Sequence, residues 1–103
     1  MKTHQEIDRR SLGLACAIVR KLESGDIEAG ITRARQVNRR WCDLSPSLLH
    51  REWAAILAGS WPSIRQVLLD ESERGIELRQ NNPFCGILTP RERWDIMREF
   101  RSP

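Results

Sequence analysis

The sequence predicts an all-α fold, a compact single domain of five or six short helices over residues 1–103. Three observations carry that expectation. Apolar residues recur at three- and four-residue steps through most of the chain, as on the buried stripe of an amphipathic helix. No stretch alternates β-branched and aromatic residues with polar ones, the pattern of a half-buried strand. Serine, threonine or aspartate stands just ahead of most apolar stripes, where a side-chain oxygen can accept from the unpaired N–H groups of a helix start.

The first stripe, over residues 3–24, consists of Ile7, Leu14, Ala15, Ile18 and Leu22. Gly25 is then expected in the left-handed position that ends a helix, and Asp26 as the cap of the next. That helix should run over 27–41 with Ile27, Ile31, Ala34, Val37 and Trp41 on one face, the cleanest periodicity in the chain. For the third, Ser45 is the expected cap and Pro46 the first helical residue, where a missing N–H costs nothing. Leu49, Trp53, Ile56 and Leu57 face inward and Gly59 ends it.

Ser60 with Pro62 opens a fourth helix, which carries Ile64, Val67 and Leu68 inward. A break is expected near Asp70, because Gly75 weakens a continuous helix and Ser72 offers a fresh cap. The strongest local signal is Thr89-Pro90-Arg91-Glu92, a capping box with proline at the first position. Trp94, Met97 and Phe100 follow at three-residue spacing and are expected to face the core.

Bulk properties bound the function. The 103 residues suffice for one core, and 40% hydrophobic against 30% charged residues is the balance of a globular chain. No apolar run reaches the roughly 18 residues that span a bilayer, and no apolar segment of a secretion signal follows the N-terminus, so a cytoplasmic location is expected. Cys16, Cys42 and Cys85 are odd in number and widely spaced, which suggests neither a disulfide framework nor a zinc site. No cofactor or metal is expected.

Catalytic groups are scarce. His50 could be paired with Glu52 or Cys42, yet nothing in the sequence fixes such a geometry, and His4 lies near a chain end. There is no Gly-rich phosphate loop, HExxH or paired-carboxylate motif, so no catalytic residue is assigned and no enzyme activity is expected.

Charge is unevenly laid down. Residues 1–50 hold nine Lys or Arg against six acids and residues 51–103 hold eight of each, which places the whole formal +3 in the first half. Within it, "ITRARQVNRRW" carries Arg33, Arg35, Arg39 and Arg40 with no acid among them, opposite the apolar face of the second helix. Guanidinium forks suit carboxylates and phosphates. The plainer reading is a solvated face paired with Asp70, Glu71, Glu73 and Glu77.

The connection "NNPFCGILTP" is unusually apolar. Pro83 holds Asn82 extended and Gly86 permits a sharp turn, so Phe84, Ile87 and Leu88 either fold back as a plug over the core or form a docking surface with Trp61. The rarity of contiguous exposed apolar patches on monomers favours the plug.

The run "LRQNNPFCGILTPRERWDIMREF", with "REWAAILAG" and "ARQVNRRW" ahead of it, resembles a group of small bacterial all-helical proteins. Their shared pattern is matched by Arg79-Gln80, Pro83-Phe84-Cys85-Gly86 and Leu88-Thr89-Pro90-Arg91-Glu92-Arg93-Trp94. The resemblance implies a partner in a two-gene module of the toxin–antitoxin type, and carries over no functional residue. The expectation is a non-catalytic protein-binding module, an antitoxin or regulatory partner of a protein such as a cognate toxin enzyme. Arg33, Arg39, Arg40, Trp61 and Phe84 form its expected contact set. The alternative is a nucleic-acid-binding regulator that uses the arginines of the second helix.

Overall fold

Most of the cap residues act where the sequence places them in a computed structural model, which describes residues 4–99. Six helices follow one another: α1 (His4–Glu23), α2 (Ile27–Leu44), α3 (Leu48–Leu57), α4 (Trp61–Leu68), α5 (Glu73–Arg79) and α6 (Pro90–Glu99). Among the described residues there is no strand. Phe100 lies outside them.

Asp26 caps α2 by accepting from the Ala29 N–H at 3.0 Å, and Ser72 caps α5 by accepting from Gly75. Ser60 stands at the N-cap of α4, although its hydroxyl meets that of Ser63 rather than a backbone N–H. Around α6 the capping box is complete: Glu92 N–H donates to the Thr89 hydroxyl at 3.1 Å and Thr89 N–H to the Glu92 carboxylate at 2.8 Å.

Three local expectations are corrected. Gly25 is not left-handed, since no described glycine has positive φ; α1 instead tightens at its end, with the Gly25 N–H on the Leu22 carbonyl. Ser45 does not open α3. It closes α2, three residues later than expected, by donating its N–H to Trp41 at 2.8 Å, so Ser47 takes the cap and Pro46 lies ahead of it. Trp94 does not face the core and is 53% exposed. The face of α6 turned to α1 carries Glu92 and Ile96, because Glu92 reaches Lys21.

α1 is the hub, touching α2, α4, α5 and α6, while α2 lies along α3 as a hairpin. Ala15, Ile18, Val19 and Leu22 form its buried stripe, although Ile7 at its start is half exposed. Trp53 of α3 sits in the centre with no exposure, and its indole N–H donates to the Leu78 carbonyl at 2.8 Å.

The 83–88 connection is the plug. Pro83, Phe84 and Leu88 are buried and Ile87 half-buried, with only Cys85 and Gly86 left outside. Asn82 shapes the entry by accepting the Phe84 N–H on its own side chain at 2.9 Å, an Asx-turn. Phe84 then meets Trp53 edge to face at a ring separation of 6.4 Å, an arrangement the ring quadrupoles favour.

Gly75 weakens a helix by propensity, yet here its missing Cβ is what lets α5 pack. A Cβ would fall inside the contact distance of the Asp70 carbonyl oxygen and Cβ. Replacement by alanine, which stabilises an exposed helix interior by up to about 1 kcal/mol, should here destabilise the protein by about 1–3 kcal/mol through overpacking. Urea unfolding reads the sign directly, and a gain in stability would refute the close packing. Phe84→Ala should lower the unfolding free energy by about 3–5 kcal/mol, the usual cost of emptying a buried phenyl site. A change under about 1 kcal/mol would instead return the loop to the surface.

Candidate functional site

The arginines of α2 emerge on the solvent side because Gly30, Ile31, Ala34 and Asn38 occupy its buried face. Arg33, Arg35, Arg39 and Arg40 are all exposed. Arg35 donates its Nε–H to the Leu57 carbonyl at 2.8 Å and so ties α2 to the end of α3. Arg33 extends over the plug: a Cβ on Gly86 would stand 3.1 Å from its Nη2, so the absent side chain there gives the guanidinium its seat.

The acidic segment does not cover these arginines. Glu77 pairs with Arg74 at 2.8 Å, and Asp70 accepts the Ser72 N–H at 2.8 Å. That bond, with the Ser72 hydroxyl, holds the Asp70 carboxyl below its usual range. Elsewhere Glu23 meets Arg65 at 3.3 Å, Glu52 meets Arg74, and Glu92 meets Lys21 at 2.6 Å. Among the described residues none of Arg33, Arg39 and Arg40 forms an ion pair.

Beside them α2 and α3 leave a groove of about 310 Å³. Arg35 and Arg39 form its rim, and Cys42, Ala54, Leu57 and Ala58 its apolar floor. At the turn that closes the hairpin, Leu44 and Leu48 are each 77% exposed. Sequence reading passed over both. Leu44 continues the stripe of α2 in phase, three residues beyond Trp41, and only the course of α3 leaves it bare.

His50 braces this turn. Its Nδ1–H donates to the Ser45 carbonyl at 2.9 Å, its ring lies 5.6 Å from that of Trp41, and its own carbonyl accepts from the buried Asn38 amide at 2.9 Å. Glu52, the other half of the imagined pair, is held by Arg74. Among the described residues no group of three or more His, Cys, Asp or Glu could hold a metal ion, and no helix is long and apolar enough to cross a membrane.

Neither of the remaining two contact residues lines the groove. Trp61 is half-buried on the core and donates its indole N–H to Glu23 at 3.1 Å, which pins α4 to α1. Phe84 has no exposure at all. The chain matches no family model, no curated protein and no solved structure in comparisons with all three.

Lys21 bridges the Ile87 carbonyl and Glu92, so the pair fastens both the plug and α6 to α1. The Lys21 hydrogen bond, and then the Thr89 N–H, lower the Glu92 pKa from 4.5 to about 2. A carboxyl so depressed contributes stability that is fully present above its unfolded value of 4.5 and is lost as pH falls toward about 2. With side chains 39% and 41% exposed, water screens the pair and the effect is modest. Glu92→Gln should therefore flatten the acid limb of a stability–pH curve across that window. Parallel limbs for the two proteins would show that the pair contributes nothing.

Proposed function

We propose that the protein is a non-catalytic binding module whose α2–α3 hairpin engages an acidic, apolar-anchored surface of a protein partner. The observation that carries this reading is an apolar groove lined by the exposed, unpaired Arg39, with exposed Arg33 and Arg40 on the same helix and two bare leucines at the hairpin turn. Arginine forks bind carboxylates in a fixed geometry, and desolvated apolar anchors supply the rest of a protein interface. A nucleic-acid backbone would satisfy the arginines alone, since phosphates offer nothing to Leu44, Leu48 or the groove floor.

In this reading Arg33, Arg39 and Arg40 remain contacts and are joined by Leu44 and Leu48. Phe84 leaves the set because it is buried, and Trp61 because Glu23 holds it. Such a surface can block an enzyme's groove or recruit a regulator without any catalytic group of its own. That is the role implied by the resemblance to small partners of two-gene bacterial modules.

The test compares wild type, an Arg39→Glu/Arg40→Glu pair and a Leu44→Asp/Leu48→Asp pair. Each is used to capture partners from nuclease-treated bacterial lysate at low and high salt. The expected result is one stoichiometric protein bound by wild type and reduced at least about tenfold by either pair, with helicity and Tm unchanged. Nucleic acid retained only at low salt, lost with the arginine pair and indifferent to the leucine pair, would overturn the reading in favour of a nucleic-acid regulator.

A further inference from the structure

A second recess, of about 460 Å³, opens where α1, the end of α2 and residues 79–93 meet. Its cations are Arg10, Arg79 and Arg93, and its apolar wall includes Leu14, Trp41 and Leu88. Among the described residues no acidic side chain lines it. None of the hairpin arginines or leucines takes part, so the recess stands independently of the interface proposed above.

The three guanidinium groups are held by neutral acceptors or by none. Arg79 is only 6% exposed; its Nε–H donates to the Ser11 hydroxyl at 3.2 Å and its Nη1 to the carbonyls of Leu68 and Asp70. Burial lowers its pKa, while Asp70, Asp8 and Glu71 work in the opposite direction without a direct ion pair. Arg93 donates to the Cys85 carbonyl at 3.3 Å. The Nε of Arg10 is buried with no hydrogen-bond partner.

Among the described residues the Arg10 guanidinium therefore has no carboxylate of the chain to compete with an anion that enters the recess, and charge-assisted hydrogen bonds of that kind are the strong ones. A pocket of this size, part apolar with a few convergent polar groups, has the dimensions of a small-molecule site. We infer that the recess binds a small organic anion. Its carboxylate or phosphate head accepts from Arg10 and Arg93, and its apolar body rests on Leu14, Trp41 and Leu88. The wall residues Arg79, Gln80, Asn82, Cys85, Leu88 and Arg93 all come from the run that reads in sequence as a turn and a helix cap.

Isothermal titration with hexanoate and hexyl phosphate tests this, with hexanol and hexylamine as controls, on wild type, Arg10→Gln, Arg93→Gln and the Arg39→Glu/Arg40→Glu pair. One anion should bind wild type with unit stoichiometry and at least about tenfold more tightly than hexanol. Arg10→Gln and Arg93→Gln should each weaken it about tenfold or more, while the hairpin pair binds as wild type does. Whichever head binds better identifies the ligand class.

A second readout needs no variant. Cys85 is exposed and lines the recess, so the bound anion should slow its alkylation, followed peptide by peptide in the mass spectrometer. Equal affinity for hexanol and the anions would overturn the inference. So would unchanged affinity in both glutamine variants, or unprotected Cys85 at saturating anion.

Discussion

One indole holds the second half of the chain in place. Trp53 is fully buried, donates to the Leu78 carbonyl at 2.8 Å and meets Phe84 in a T-shaped ring contact. The first contact adds a second donor to a carbonyl in the last turn of α5 that also accepts from the Asn81 N–H at 3.1 Å, and so ties α3 to the end of α5. The second fixes the plug, and the plug carries Leu88 into the core one residue ahead of the Thr89 cap. The capping box starts α6 locally, and the seated loop sets that start where Glu92 meets Lys21.

What could be read from the sequence divides along the range of the forces involved. Asp26, Ser72 and Thr89 act on N–H groups three residues away, so their roles are legible in any short window. Ser45 and Ser47 flank the same proline and carry the same hydroxyl, and the choice between them depends on how far α2 runs. Gly75 shows the reverse conflict: its helix propensity is poor, but the approach of the Asp70 carbonyl leaves no room for any other residue. Trp94 sits on a regular stripe and still faces water, since an ion pair four residues from Ile96 selects which side of α6 meets α1.

The candidate surfaces follow the same division. An acid-free run on an amphipathic helix made the exposure of Arg33, Arg39 and Arg40 readable in advance. That Glu77 engages Arg74 and Asp70 the backbone of Ser72 depends on the path of α5, which no window of sequence contains. Leu44 and Leu48 look like core residues by type, and only the geometry of the hairpin turn strips them of neighbours. The recess was least legible of all, because its three arginines are drawn from positions up to 83 residues apart.

Arg79 bears on why that recess exists. Burying a guanidinium costs several kcal/mol unless strong acceptors replace water. Here the acceptors are one hydroxyl and two carbonyls, with carboxylates acting only at a distance. An apolar side chain of similar size at the same place would avoid that cost, and buried ion clusters replaced in this way often yield more stable proteins. Stability alone therefore gives a small one-core domain no reason to keep a positive charge there. The anion proposed for the recess does give one, since the buried charge of Arg79 adds to the potential at the place where its head would sit.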